Sequence, residues 1–274
     1  MINKFRVDYH MHTTNSLDGK NTAEEMCLSA IEKGLVEIAI TDHFEIYPFL
    51  IEGRKCSYNN QPVETLAEIR SLQKKYSHKL TIRRGVELGQ SYHNLFLADE
   101  IIRKGKYDFI IGSVHIFDNQ YMEDIDYTQS PIKDIAFKYF KEVLTLVGNS
   151  DFDSVGHLNI FSRYAAKMSV TLEDYSPFYS ILTDIFTLVI SKGKAIELNT
   201  SGWRQGIGHP FPNEEILKIY YECGGRMVTV GSDSHNKDDI AADFDIAYDL
   251  LKKIGFEYIT TFDKRKPIFV PINI

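Results

Sequence analysis

Cysteine is scarce in this chain. Among its 274 residues the only cysteines are Cys27, Cys56 and Cys223, which lie far apart. An odd and widely spaced set does not predict a disulfide framework, so we expect a reducing compartment, the cytoplasm. Their spacing is not that of a metal site, and no neighbouring histidine and asparagine indicate a thiol nucleophile.

Long apolar runs are also missing. No stretch of about 18 apolar residues could span a bilayer. The first residues, MINKFRVDYH, enter a predicted strand and contain no secretory apolar region. We therefore expect no membrane partner.

Clusters of basic residues are absent as well. Lysine and arginine total 31 against 38 acidic residues, which gives a net charge of −7. A groove that follows a phosphate backbone needs clustered basic residues, so we expect no nucleic-acid partner. An acidic chain can still bind a small anionic substrate where metal cations dominate the local field.

What the chain has is a regular alternation of strand-like and helix-like segments. This pattern predicts an α/β fold, and the length is near the roughly 250 residues of one (β/α) barrel. We predict one domain, 1–274, with seven strands in an irregular barrel and the place of an eighth left open. Predicted strands cover 4–9, 37–41, 80–88, 107–113, 152–157, 194–199, 227–233 and 257–261. Predicted helices cover 22–33, 62–76, 95–104, 131–147, 175–191, 213–223 and 239–253, and 44–61 and 116–129 are predicted loops.

Histidines and carboxylates recur directly after the predicted strands. In a parallel barrel the carboxyl ends of all strands meet on one face, so these side chains should lie together. His10 and His12 also share a face, because residues i and i+2 of a strand point the same way. The pattern predicts a multinuclear metal site in a hydrolytic enzyme. The residues are His10, His12, His43, Glu87, His115, His157, Asp233 and His235, with Asp18 in the first loop.

These segments together resemble the motif series of the polymerase-and-histidinol-phosphatase (PHP) metallohydrolases. HMHTTNSLDG, TDH, GVE, GSVH, GHL and GSDSH occur in the family's order between residues 8 and 235. The resemblance implies a distorted, TIM-barrel-like (β/α)7 barrel with the metal site at the carboxyl ends of its strands. It also implies three divalent ions, and histidine-rich ligation favours zinc, manganese or iron.

The resemblance implies a ligand set for each ion. The first ion would bind His10, His12, Glu87 and Asp233. Glu87 would bridge to a second ion on His115 and His157. The third ion would bind Asp18, His43 and His235.

A metal-bridging hydroxide is the expected nucleophile, because metals lower the pKa of bound water to about 7. Asp233, His235 or a metal-bound water would transfer the proton that the leaving group needs, and the sequence does not choose among them. Arg163, Ser201, Arg204 and His93 are the candidates for substrate binding; the arginines suit phosphate because a guanidinium presents a fork of donors.

The segment ELNTSG, 197–202, resembles the histidinol-phosphatase branch of the family. It implies hydrolysis of histidinol phosphate to histidinol and phosphate, a step of histidine biosynthesis. Other readings are a PHP phosphatase acting on phosphotyrosine or nucleotides, or a PHP domain without activity. An amidohydrolase barrel also begins with HxH, but it would place a bridging lysine near the fourth strand, where this chain has His115.

Overall fold

The computed structural model describes residues 6–46, 62–118 and 120–272. In chain order the strands are β1 (Val7–Asp8), β2 (Glu37–Ile40), β3 (His43–Glu45), β4 (Thr81–Gly89), β5 (Phe109–Ser113), β6 (Ile116–Phe117), β7 (Gln120–Tyr121), β8 (Ser154–Val155), β9 (Ala195–Asn199), β10 (Val228–Gly231), β11 (Tyr258–Asp263) and β12 (Lys266–Pro271). The helices are α1 (Ala23–Glu32), α2 (Pro62–Tyr76), α3 (Leu95–Gly105), α4 (Ile132–Asn149), α5 (Phe161–Lys167), α6 (Tyr179–Ser191), α7 (Ser201–Arg204), α8 (Glu214–Glu222) and α9 (Phe244–Ile254).

Seven of the described strands form one parallel sheet in the order β1-β2-β4-β5-β8-β9-β10, with β3 paired to the end of β4. The last strand returns to the first. The Tyr9 amide donates to the Val230 carbonyl at 3.0 Å, and the Asp233 amide donates to the His10 carbonyl at 2.8 Å. These bonds close the sheet into a barrel, which confirms the predicted fold class.

The strands are buried on both faces, as parallel strands under a layer of helices must be. Every residue of β2, β5, β9 and β10 is buried. The surrounding helices are amphipathic: α9 buries Phe244, Ala247 and Leu251, which lie three and four residues apart on one face. Helix α1 begins at a capping box between Thr22 and Glu25.

The eighth predicted strand lies outside the barrel. β11 pairs antiparallel with β12, which sequence reading missed, and the two form a hairpin across Lys264 and Arg265. Both turn residues have positive φ, 51° and 64°, which is the backbone of a tight hairpin turn. Arg265 bonds Asp151 and Asp153, which precede β8, so this hairpin lies at the amino ends of the barrel strands.

The two predicted loops and the segment after β8 contain short elements. The predicted loop 116–129 begins with the β6–β7 hairpin, and the segment after β8 contains α5. The predicted loop 44–61 begins inside β3, and its residues 47–61, with Cys56, lie outside the described part of the chain. Such short elements lack the periodic pattern that longer ones show.

In the described part of the chain, no helix is both long and apolar enough to cross a bilayer.

Candidate metal centre

All nine predicted ligands meet at one end of the barrel, the end where the strands finish. Each barrel strand except β9 delivers its ligand at its last residues or just beyond them, and β4 supplies Glu87 within its last three residues. The loop after β1 brings Asp18 back to the same place, where its carboxylate lies 3.0 Å from His235 Nε2. The cluster predicted from spacing is therefore present in the structure.

The first group is fully buried and contains His10, His12, Glu87 and Asp233. The Nε2 atoms of His10 and His12 are 3.1 Å apart. They lie 3.2 and 3.5 Å from Glu87 Oε2, and 3.8 and 3.5 Å from Asp233 Oδ1. Two imidazole nitrogens and two carboxylate oxygens thus face one point.

The second group uses the other oxygen of Glu87. Glu87 Oε1 lies 3.1 Å from His115 Nε2 and 2.8 Å from His157 Nε2. The two nitrogens are 3.1 Å apart. Ser113 also donates its hydroxyl to this oxygen at 2.6 Å, which fixes the carboxylate plane. Glu87 therefore stands between the two groups.

The third group lies nearer the surface. Asp18 Oδ2 is 3.0 Å from His235 Nε2 and 3.7 Å from His43 Nε2. The rings of His43 and His235 stack on His12 with centroids 4.1 and 4.2 Å away. His43 Nδ1 also lies 2.9 Å from Glu87 Oε2, so this histidine contacts both the outer and the inner group.

Electrostatics keep the two buried carboxylates ionised. Burial alone would raise the pKa of Glu87, but His10, His43 and His115 hold it well below the usual range. Burial likewise opposes ionisation of Asp233, while His10, His12 and Arg163 hold its pKa well below normal. Both groups are therefore available as anionic ligands at neutral pH.

The histidines divide into two kinds. Burial opposes protonation of His10 and His115, yet the carboxylates beside them raise the pKa of both rings well above normal. Burial lowers the pKa of His12 and His157. The raised values record a strongly negative potential at the centre of the cluster, which is the potential that attracts a cation.

The donor set fits a metal ion. Pairs of imidazole nitrogens face each other at 3.1 Å, a contact that a cation between them stabilises. The buried atoms Glu87 Oε2, His43 Nδ1 and His157 Nδ1 have no hydrogen-bond partner. Buried polar atoms are normally satisfied. Glu87 Oε2 and His43 Nδ1 lie inside the cluster, 2.9 Å apart, where a cation would satisfy both. Nitrogen and carboxylate ligands are those of zinc and related transition metals.

The four predicted substrate residues have different positions. Arg163 Nη2 lies 2.9 Å from Asp233 Oδ2 and 2.6 Å from Ser201 Oγ, at the edge of the first group. Arg204 instead donates to the carbonyls of Ser232 and Asp233 and pairs with Asp239, so its guanidinium braces the backbone of the cluster. Its role as a substrate ligand stays a prediction.

His93 ends a 3-10 turn, is exposed, and packs against Tyr92 with ring centroids 4.4 Å apart. Its charged neighbour is Glu142, on α4, and burial lowers its pKa. Neither contact is with the cluster, and substrate binding by His93 stays a prediction.

Two buried glutamates behind the cluster escaped sequence reading. Glu197, on β9, bonds His10, and Glu45, on β3, bonds His115. A charged residue inside an otherwise apolar parallel strand, as in AIELN, was the available signal, because such a position is buried and needs a partner. Only its strand neighbours, which are distant in sequence, reveal that partner.

A parallel barrel with converging histidines and carboxylates at its strand ends defines the class of metal-dependent hydrolase barrels. A family model for the PHP domain matches residues 8–201, more than half of the chain. The chain belongs to the PHP family.

Relatives match over nearly the full length. A histidinol-phosphatase of Lactococcus lactis subsp. lactis is 29% identical over 264 residues, 95% of this chain and 96% of that one. A Clostridium acetobutylicum protein named "Probable histidinol-phosphatase" is 30% identical over 267 residues, 94% of this chain and 97% of that one. The crystal structure of the Lactococcus lactis histidinol phosphate phosphatase, complexed with zinc, L-histidinol and phosphate, superimposes with a TM-score of 0.81 at 28% identity. It covers 96% of this chain and 98% of that one.

Proposed function

We propose that this protein is a metal-dependent phosphatase that hydrolyses L-histidinol phosphate to L-histidinol and phosphate. The observation that carries the proposal is the cluster of six histidines and three carboxylates at one end of a PHP barrel, with its first group buried. The substrate comes from the relatives, which are named histidinol-phosphatases over nearly the same length. The Lactococcus lactis structure with zinc, histidinol and phosphate supports the same substrate.

The three groups of side chains would hold three divalent ions, zinc, manganese or iron. The first group would hold one ion through His10, His12, Glu87 and Asp233. Glu87 would also contribute to a second ion with His115 and His157. Asp18, His43 and His235 would hold the third. Bound ions supply Lewis acidity, which activates water and neutralises phosphate oxygens.

Charge balance favours a dianionic substrate. Three carboxylates, Asp18, Glu87 and Asp233, cannot neutralise three dications. The surplus positive charge attracts a phosphate monoester even though the whole chain carries a net charge of −7. Arg163 adds a guanidinium at the edge of the first group, and Ser201 presents a hydroxyl beside it. We assign both to the phosphate oxygens.

Asp233 is the better of the two side-chain candidates for proton transfer. Its Oδ1 faces the first group and its Oδ2 faces Arg163 and Ser201, which places the carboxylate between the proposed metal ligands and the residues assigned to phosphate. Because its pKa lies well below normal, it is ionised at neutral pH and would first have to accept a proton from the attacking water before donating one to the leaving alkoxide. The Nδ1 atom of His235 lies 3.1 Å from the Asp233 carbonyl oxygen, and its Nε2 atom lies 3.0 Å from Asp18 Oδ2. Both of its nitrogens therefore have partners.

A substrate panel on metal-loaded protein tests the proposal. We expect kcat/KM for histidinol phosphate to exceed that for phosphotyrosine and for nucleoside monophosphates by at least tenfold. Preference for either of the others would replace the substrate and keep the reaction class. Absence of metal and of phosphatase activity together would identify a PHP domain without catalysis.

Two further expectations stay predictions. We place the protein in the cytoplasm as a single domain over residues 1–274. Its partner is a small phosphorylated molecule rather than a nucleic acid or a membrane.

A further inference from the structure

Two buried glutamates support the cluster from behind. Glu197 is 1% exposed and its Oε1 lies 2.6 Å from His10 Nδ1. Glu45 is 3% exposed and its Oε1 lies 2.5 Å from His115 Nδ1. The two contacts are alike: each joins a buried carboxylate to the Nδ1 atom of a ring whose other nitrogen faces Glu87.

Such a contact determines where the ring's lone pair points. A carboxylate accepts the Nδ1–H of an imidazole, so the lone pair is left on Nε2. Nε2 of His10 lies 3.2 Å from one oxygen of Glu87, and Nε2 of His115 lies 3.1 Å from the other. Each glutamate thus directs one imidazole toward a different side of the bridging carboxylate.

The second oxygen of each glutamate is also held. Glu197 Oε2 accepts the backbone N–H of His157 at 2.7 Å and the Asn199 side-chain amide at 3.2 Å. Glu197 therefore fixes His10 by its ring and His157 by its backbone. These two histidines belong to different groups of the cluster, so one side chain sets their relative position.

Glu45 is held in the same manner. Its Oε2 accepts the side-chain amide of Gln90 at 2.5 Å, in the amide orientation that also satisfies the backbone N–H of His115. The Gln90 oxygen then accepts from that N–H at 2.5 Å. Glu45 and Gln90 together hold His115 at both its ring and its backbone.

A glycine on the neighbouring strand makes room for each carboxylate. A Cβ on Gly231, in β10, would lie 2.3 Å from Glu197 Oε1, and one on Gly89, in β4, would lie 1.9 Å from Glu45 Oε2. Neither distance is possible for real atoms, and both strands are buried and cannot retreat. Both β10 and β4 therefore have a glycine where a neighbouring carboxylate needs space. A glycine at two such places indicates that both carboxylates have the same role.

We infer that Glu197 and Glu45 are a matched pair of positioning residues that aim His10 and His115 at two sides of the metal centre. The inference rests on the proposed metal site and deepens it. Neither glutamate binds the ion itself; each acts through the histidine that it orients.

Zinc retention by the full-length loaded protein tests this. In Glu197→Gln, one amide oxygen can still accept from His10, but the NH2 group then faces the backbone N–H of His157. Glu45→Gln disturbs the Gln90 amide in the same way. We expect each variant to bind zinc roughly 10–100-fold more weakly than the parent, measured by competition with a chelator of known affinity. Glu197→Asp and Glu45→Asp keep the charge at a shorter reach, and we expect an intermediate loss.

Glu37→Gln is the matched control. Glu37 is a buried carboxylate too, but it bonds Tyr9 and Arg83 at the beginning of β2. We expect zinc affinity equal to that of the parent in this variant, even if it unfolds at a lower temperature. Thermal unfolding of the chelator-treated proteins separates lost stability from lost metal binding.

Each outcome decides between the two proposals. If the parent binds zinc and the Gln and Asp variants bind it equally well, this inference alone is overturned. A zinc affinity that falls in Glu37→Gln as much as in Glu197→Gln would also overturn it, because a general loss of stability would then explain the effect. A parent that binds no zinc would remove the metal site and the inference together.

Discussion

At the scale of single residues, Glu87 organises the centre. Its two oxygens face different groups of histidines, and Ser113 holds one of them. The side chain is fully buried, so its charge would be costly without the imidazoles around it. A buried carboxylate with one oxygen left without a hydrogen bond is a position prepared for a cation.

Substitution of Arg163 tests the proposed phosphate contact at the scale of single residues. Arg163→Ala removes a guanidinium that we assign to substrate phosphate, and a hydrogen bond to a charged group contributes about 1.5–3 kcal/mol. We expect kcat/KM to fall roughly 10–100-fold, mainly through KM, with zinc content unchanged. Arg163→Lys keeps the charge without the fork and should lose less.

Arg226→Ala is the control for this series. Arg226 donates to backbone carbonyls before β10, at the other end of that strand, and should leave both kinetic constants unchanged. Parent-like kcat/KM in Arg163→Ala would show that this arginine does not bind the phosphate.

At the scale of elements, the β11–β12 hairpin acts as a clamp on the amino end of the barrel. Its turn residue Arg265 forms bidentate contacts with Asp151 and lies 3.0 to 3.1 Å from the carboxylate of Asp153. Asp153 is 3% exposed, and burial raises its pKa despite the arginine. Arg265 lowers the pKa of Asp151 below its usual value.

Arg265→Ala should destabilise the fold by about 3 kcal/mol at pH 7, because it leaves a buried carboxylate without its partner. Asp151 has a depressed pKa, so the pair stabilises the folded state above about pH 4, and this contribution is lost as the pH falls through the folded-state pKa. In the Arg265→Ala variant, protonation of Asp153 at low pH also removes the unpaired buried charge and so reduces the loss of stability. Urea unfolding at pH 7 and at pH 3 should therefore show a difference that narrows on acidification.

The exposed neighbour Lys266→Ala is the control for the clamp, and its stability should match the parent at both pH values. A difference in unfolding free energy between Arg265→Ala and the parent that stayed constant or widened toward pH 3 would contradict the ionic explanation.

At the scale of the whole molecule, the metal centre joins the ends of strands that are far apart in sequence. Ligands in or after β1, β2, β4, β5, β8 and β10 would together bind the three ions. Ions that bind only the folded state stabilise it, by roughly 4 kcal/mol at a thousandfold excess over Kd. Removing them leaves several like-charged and unpartnered groups buried together.

Chelation should therefore lower the unfolding temperature, by roughly 10 °C for a chain of this size. Adding zinc back should restore both the unfolding temperature and the activity. Glu87→Ala lacks the bridging ligand. In this variant, chelation and zinc addition should each change the unfolding temperature by only a small fraction of this shift. An unchanged unfolding temperature and full activity in chelated parent protein would contradict the metal centre.

Much of the architecture was predictable from local pattern. Seven barrel strands and the long helices follow from apolar runs and amphipathic periodicity, and the ligand positions follow from the rule that strand ends meet. The β11–β12 hairpin was not predictable as a separate unit, because a strand's partner is not encoded in its own residues. Arg204 likewise has the residue type of a phosphate ligand, and only its neighbours show that it braces the backbone.

The sequence by itself determined the class of the fold, the family and the identity of the nine clustered residues. The alternation of strands with helices along the chain and the residue type at each strand end are local properties. The tertiary structure alone decided which oxygen of Glu87 faces which histidines, that His43 contacts two groups, and that Glu197 and Glu45 stand behind His10 and His115. Those relations depend on distances between strands that are adjacent only after the barrel closes.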